Sequence, residues 1–545
     1  MKESFQSPLL QTAGGGLSCF YRGRRLYHPD RPVEQAVARA KAFPLKPDTL
    51  YIIPSPLLWY GVEQLLERID GGSVLLALED DEQLYRLSLA HMPPSIAGRV
   101  QLLFMPLEKA FEDESGIDCG RYRRVEMVPL NGGFGLGRER YTMLHKHLER
   151  RIKIQWQNRM TMSWFGPLWL KNFFHNCGHL QSLYADHRLC LTGEGKNATR
   201  RPVLIAGAGP SLEYAFEEIG QIRDRVFILA VDTALSALEA CGLKADGIVC
   251  QDGQYYTVGD FTAAPASFGS SFFLDLTSSR ALPRHIGGRV KPFVSRFDSI
   301  ALFERFALTF PDIPFLPPVG SVGITALLIA QSLRPPALLF AGLDFAYHLG
   351  KSHSRGTPYH LRELIERNRL SPEGDFRTIL RRHPIPLKSQ GIPAVMNDLV
   401  LSGYAENFSE RLTVPSASPL PYYLFPKTLR PLLPVTEESA EAFLDRIPLS
   451  EAPAPVSAAD ENGDEPERSF DERMVLFLKE ERNLLRRFID GDMELWKSLD
   501  YIYSFFPDYH RQPTDRPDEQ FRRRSIASAG RFLRIIDQVL TFPRS

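Results

Sequence analysis

Val203-Leu204-Ile205-Ala206-Gly207-Ala208-Gly209-Pro210-Ser211-Leu212 is the stretch that decides the fold. Four apolar residues in a row suit a parallel strand buried on both faces. The run breaks at Gly207 and Gly209, where the absence of a Cβ lets the backbone turn sharply and approach a ligand. Proline at 210 suits a first helical turn, and a helical pattern follows from Glu213 to Ile219. Free N–H groups and the positive end of a helix dipole at such a turn favour an anion, to which the Ser211 hydroxyl can add a bond. The turn is not a full GxGxxG, so a tight connection without ligand is the competing reading.

The elements that follow extend the same pattern. Val226-Phe227-Ile228-Leu229-Ala230-Val231 reads as a strand ending at Asp232-Thr233, and a helix from Ala234 to Cys241 closes at Gly242. Gly247-Ile248-Val249-Cys250 is a third strand, ending at Gln251-Asp252. Asp232 and Asp252 thus stand at the carboxyl ends of successive parallel strands, where open α/β sheets bind ligands. Each suits a ribose hydroxyl, a base amine or a metal-bound water; each also suits a helix N-cap or turn.

Phe272-Phe273-Leu274-Asp275 and Lys291-Pro292-Phe293-Val294 read as further strands. Gly320-Ser321 opens a very apolar helix, Ile324 to Leu333, and offers a second cradle for an anion or sugar. The strand Ala337 to Gly342 then delivers Leu343-Asp344-Phe345-Ala346-Tyr347-His348. A glycine-bearing loop from Leu349 to Gly356 carries Lys351, His353 and Arg355. Histidines beside cations beyond a strand end suit proton transfer and phosphate binding, with a structural histidine as the alternative.

Outward from this core, Thr49 to Ile53, Ser73 to Leu78 and Arg99 to Phe104 form a first α/β pattern. Pro54-Ser55-Pro56 stands where a phosphate turn would be, so this part reads as a scaffold without cofactor. Trp156, Trp164 and Trp169 lie in a helical stretch at spacings that suit a core. Ser450 to Glu467, rich in Ala, Pro, Glu and Asp, reads as a flexible linker. The expected fold class is α/β. A Rossmann-like central domain (200–410) follows an N-terminal β-hairpin with a smaller α/β domain (1–135) and a helical connector (136–199). A proline-rich segment with the linker (411–468) and a helical C-terminal domain (469–545) complete the chain.

Bulk properties narrow the function classes. With 545 residues, several domains are expected. Lys plus Arg and Asp plus Glu stand at 65 each, so no global field draws the chain to nucleic acid or an anionic membrane. Cys19, Cys119, Cys177, Cys190, Cys241 and Cys250 form no CxxC pair and no metal-ligand spacing, which suits a reducing cytoplasm. No signal peptide and no stretch long enough to insert in a bilayer are read.

Taken in order, Gly207 to Leu212, Asp232-Thr233-Ala234-Leu235, Ala245-Asp246 with Asp252, Gly320-Ser321-Val322 and Gly342 to Tyr347 resemble the motility-associated factor (Maf) family of flagellin glycosyltransferases. Leu26-Tyr27-His28-Pro29-Asp30 is similar to that family's entry motif. The resemblance covers roughly residues 15 to 410. The central part is also similar to the 6-hydroxymethylpterin diphosphokinase family and to bacterial sialyltransferases with a Gly-Asn-Gly-Pro-Ser turn.

The resemblance implies transfer of a nonulosonic sugar, pseudaminic or legionaminic in type, from a CMP donor to Ser or Thr hydroxyls of flagellin. It implies that Gly207, Ala208, Gly209, Pro210 and Ser211 face the CMP phosphate and ribose. Asp232, Thr233, Asp252, Gly320, Ser321, Asp344 and Lys351 are the further expected contacts to the nucleotide sugar. Tyr347 is expected at the departing phosphate, and His348 or His353 as the base. No cofactor and no metal are expected for this reaction. A diphosphokinase would instead use ATP, with Mg²⁺ on Asp232 and Asp252. A flagellin-binding accessory protein without turnover is the third reading.

Overall fold

The computed structural model describes residues 7–104, 119–186, 188–189, 200–262, 269–297, 300–348, 350–370, 379–387, 395–413, 420–434, 438–447, 469–509 and 517–541. The linker expected over Ser450 to Glu467 lies outside them. Contacts divide the chain into two compact units, Met1–Trp164 with Ser504–Asp518, and Phe165–Tyr503 with Glu519–Ser545.

The first unit opens with an antiparallel sheet of β1 (Leu9–Ala13), β2 (Gly16–Tyr21) and β3 (Arg24–Arg25). A parallel sheet follows, built from β4 (Thr49–Pro54), β5 (Val74–Glu79), β6 (Gln101–Phe104) and β7 (Arg124–Met127) in the order β6-β5-β4-β7. Alternate residues serve opposite faces. Leu50, Ile52, Leu76 and Leu78 pack with Tyr141, Leu144 and Leu148, whereas Tyr51, Ile53, Leu75 and Ala77 pack with Trp59, Val62 and Leu65. Burial on both faces is why these strands read as unbroken apolar runs. The helix after β4 is only Val62–Leu66, because Ser55, Leu57, Trp59 and Gly61 all take positive φ.

The second unit is organised by an eight-stranded, all-parallel sheet. Its strands are β8 (Val203–Ala206), β9 (Phe227–Val231), β10 (Gly247–Cys250), β11 (Ser271–Asp275), β12 (Arg289–Ser295), β13 (Phe315–Leu316), β14 (Leu338–Ala341) and β17 (Tyr422–Leu424). The spatial order is β13-β12-β11-β10-β9-β8-β14-β17. The chain therefore winds one way from β8 to β13, then returns to place β14 on the other side of β8. That reversal makes the gap between the ends of β8 and β14 the topological switch point, the place where doubly wound sheets hold ligands. A short antiparallel pair, β15 (Ile385–Pro386) with β16 (Met396–Asn397), follows β14.

The helix Val322–Ser332, buried along most of its length, packs on β8, β9 and β10. The helices Phe470–Ile489 and Glu519–Thr541 pack on one another, and the first of them meets Ala301–Thr309. Phe306 and Phe310 meet Phe477 there, and Arg305 pairs with the buried Glu481. Within the proline-rich segment, Tyr422-Tyr423-Leu424 forms β17 and adds an edge strand to the sheet. Trp164 corrects the expected aromatic core stripe, since it is 76% exposed, while Trp169 packs on Phe165 and Phe297.

Candidate functional site

A cleft of about 370 Å³ opens at the switch point. The connections after β8 and β14 form its floor, and both depend on glycine. A Cβ on Gly207 would collide with the carbonyl oxygen of Gly342, and a Cβ on Gly342 with that of Gly207. Gly342 also takes φ of +66°, a conformation that glycine adopts without steric cost. The amides follow suit: Gly207 N–H donates to Ala341 O and Gly209 N–H to Gly342 O, each at 2.8 Å. The glycines thus serve the approach of two backbone turns to each other.

This revises the physical reading of the Gly207 to Ser211 turn. The N–H of Ser211, expected to await an anion, donates to Asp344 Oδ2 at 2.8 Å. Pro210–Tyr214 is a 3₁₀ turn, and the α-helix beyond it spans only Phe216–Ile222. No long helix dipole therefore stands behind this turn. Gly207, Ala208 and Gly209 line the cleft, while Pro210 and Ser211 are buried. Asp344 is 1% exposed, and its Oδ1 accepts the Leu429 N–H at 2.9 Å. Burial pushes its carboxyl above the ordinary range, and the bonds from Ser211 and Leu429 offset part of that rise.

The long dipole comes from elsewhere. Ser321, Val322 and Gly323 line the same cleft at the start of the 11-residue helix Val322–Ser332. Ser321 occupies the N-cap position without a side-chain cap bond, so the first amides of that helix receive no help from its hydroxyl. Gly320 sits against Tyr404.

On the β9 side, Asp232 and Thr233 line the cleft. Asp232 Oδ1 accepts the Thr233 N–H at 2.8 Å, while the buried Oδ2 has no partner among the described residues. Burial, with Asp260 and Asp252 nearby, pushes the Asp232 carboxyl well above the ordinary carboxylate range. Burial and Asp252, opposed by Arg362, bring Asp260 to about 7. Asp252 is engaged by its own loop, accepting Gln254 N–H at 3.0 Å and Tyr256 O–H at 3.1 Å. Among the described residues no three His, Cys, Asp or Glu side chains are grouped to hold a metal ion. Asp252 is thus held by its turn, whereas Asp232 keeps one oxygen unengaged among the described residues.

The fourth wall comes from the chain after β14. Tyr347, Ser352, His353, Tyr359, Arg382, Leu401 and Tyr404 line it. His353 Nδ1 lies 2.8 Å from Ser352 Oγ, and the ring stacks on Tyr359. His348 pairs with Lys351 through backbone bonds and does not line the cleft. Lys351 Nζ is drawn to Glu213 Oε1 at 2.6 Å. Tyr347 donates to Asp398 Oδ2 at 2.8 Å, and Arg382 Nη1 lies 3.2 Å from the Tyr347 oxygen. Burial and Asp398 push the Tyr347 hydroxyl up to about 12. Arg382, Asp398 and Tyr404 escape sequence reasoning, since no motif surrounds them. An Arg between two apolar segments after a strand-end loop is the one signal that points there.

Residues 171–350 match the family model described as 6-hydroxymethylpterin diphosphokinase MptE-like. An uncharacterized protein of Treponema pallidum (strain Nichols) is 28% identical over 390 residues, covering 67% of this chain and 65% of that protein. A second from the same organism is 36% identical over 92 residues, 17% of this chain and 40% of that protein. The chain thus spans less than two thirds of either relative. Among solved structures, the Maf glycosyltransferase from Magnetospirillum magneticum AMB-1 shares the fold with a TM-score of 0.52. That match has 14% identity and covers 99% of this chain and 91% of that one. The fold is the α/β Maf fold, with the MptE-like region at its centre. No helix among the described residues is long and apolar enough to cross a membrane.

Proposed function

We propose that this protein is a glycosyltransferase that moves a nonulosonic sugar, of pseudaminic or legionaminic type, from a CMP donor to Ser or Thr hydroxyls of flagellin in the cytoplasm, for flagellum assembly. The observation that carries the reading is the cleft at the switch point of a fold shared along the whole chain with a Maf glycosyltransferase.

The chemistry asks for three things. The anomeric C–O bond to phosphate breaks and CMP leaves with the charge, which needs fixed positive ends nearby. The first amides of the helix Val322–Ser332 line the cleft and supply one such end. The acceptor hydroxyl forms the new C–O bond and loses its proton to a base. His353, which lines the cleft, takes that role in preference to His348, which does not. Asp232, whose buried Oδ2 is unpartnered among the described residues, is suited to a ligand hydroxyl or base. Gly207, Ala208, Gly209, Thr233 and Ser321 shape the surface the nucleotide lies on. Asp344, itself part of the lining, holds that surface in place through its bond to the buried Ser211.

The match to the MptE-like model supports a second reading, diphosphate transfer from ATP to a pterin alcohol. Both readings meet one experiment: the protein is incubated with flagellin and a CMP-nonulosonic acid, and intact flagellin mass is measured with and without EDTA. A mass gain of one sugar per site that survives EDTA is the expected result. AMP release from ATP and a pterin, abolished by EDTA, replaces it with the second reading. Flagellin binding without either reaction leaves a non-catalytic accessory protein.

A further inference from the structure

We propose that Arg382 is the anchor for an oxyanion of the ligand, a phosphate or a carboxylate, and that Tyr347 and Asp398 are the positioning residues that aim it. This deepens, and rests on, the reading of the cleft as a nucleotide-sugar site. Among the described residues, Arg382 is the one Lys or Arg that lines the cleft. The other cations of this wall are committed: Lys351 lies on Glu213, and Arg355, 70% exposed, lies on the same carboxylate.

The geometry around Arg382 is that of a held fork. Its bonds to Tyr347 at 3.2 Å and to Asp398 at 3.5 Å both use Nη1. Asp398, 3% exposed, is itself fixed by the Leu401 N–H at 2.8 Å and by Tyr347 at 2.8 Å. One nitrogen of the planar guanidinium is thus spent on orientation, and Nη2 with Nε forms the edge that pairs side by side with an oxyanion. The side chain is half exposed and lines the cleft, so the guanidinium is within reach of a ligand there. Tyr404 stands between Arg382 and Gly320, which precedes the Val322–Ser332 helix. A cation, Arg382, and the N-terminus of the Val322–Ser332 helix therefore line the same cleft.

The test is calorimetric titration of the full chain with CMP, cytidine, inorganic pyrophosphate and free N-acetylneuraminate. Arg382→Gln is expected to weaken CMP or N-acetylneuraminate by about 10- to 100-fold and to leave cytidine unchanged. Loss on CMP alone places the phosphate on Arg382; loss on N-acetylneuraminate alone places the carboxylate there. Arg382→Lys should recover part of the loss. Tyr347→Phe should weaken the same anion several-fold while cytidine holds, which a general loss of structure would not allow. Wild-type protein that ignores CMP and cytidine but binds pyrophosphate through Arg382 retires the nucleotide reading and keeps the anchor. Unchanged anion affinity in Arg382→Gln, or no anion binding by the wild type, overturns the anchor.

Discussion

Asp344, beyond the end of β14, accepts the backbone N–H of Ser211 at 2.8 Å, so a carboxylate of the protein occupies a position that a turn of this type offers to a phosphate. Its other oxygen takes the Leu429 N–H, which ties three chain segments through one side chain. Asp344→Asn keeps the shape but has only one acceptor oxygen for two amides. One buried N–H then faces an NH₂ group, at a cost of about 1–3 kcal/mol. Denaturant titration should show that loss, together with weaker ligand binding in the cleft. Unchanged stability would mean that the two amides find other partners.

Gly209→Ala brings a methyl group onto Asp344 Oδ2 and to 2.6 Å from Gly342 O. Both obstacles are buried, so the turn must move. The expected cost is about 1–3 kcal/mol, larger than at a glycine whose only role is access for a ligand. Gly259→Ala, where a Cβ meets nothing, serves as the control. Equal melting temperatures for the two variants would refute the clash.

Such contacts explain how much of this site was legible in the sequence. Gly207, Gly209 and Gly342 announced a turn at a strand end, and the sheet around them follows from apolar runs. Their partner was not legible. A glycine that admits a ligand and a glycine that admits another backbone leave the same letter. Arg382, Asp398 and Tyr404 were missed because their meeting depends on how the chain returns after β14, and pairings that distant carry no periodicity. Tyr423 lay hidden too, since prolines on either side of a three-residue edge strand mask it.

Glu79 gives a pH-dependent prediction. Burial pushes its carboxyl up to about 8, with Asp80 and Asp81 adding to the rise. Between the ordinary carboxylate range and pH 8 the folded state holds a proton that the unfolded state has lost. Stability from this group is therefore fully present in acid and is lost as pH rises towards 8. Glu79→Gln keeps an oxygen for the Asp80 and Asp81 amides and removes the titration. Its stability relative to wild type should match near pH 4 and grow by up to about 1.4 kcal/mol per pH unit up to pH 8. A difference that does not vary with pH would sink the assignment.

Arg305 and Glu481 form a charge pair, buried at its carboxylate, whose removal is informative. Glu481, 1% exposed at its side chain, takes Arg305 Nη2 at 3.0 Å and the Tyr501 hydroxyl at 3.3 Å. Glu481→Ala strands the guanidinium and should cost about 3–5 kcal/mol, whereas Arg305→Met with Glu481→Leu should cost far less. A double-mutant cycle on thermal unfolding reads the coupling, and near-additive losses would contradict it.

The mutual exclusion of Cβ atoms at Gly207 and Gly342 has a mechanical consequence. Two backbones in direct contact, with no side chain between them to change rotamer, behave as one welded seam along the bottom of the cleft. On the proposed function, entry and release of a ligand fall to the rest of the lining, where His353, Tyr359, Arg382 and Tyr404 stand on separate stretches of chain. On that reading the seam fixes how a ligand lies, and the remaining lining is where it comes and goes.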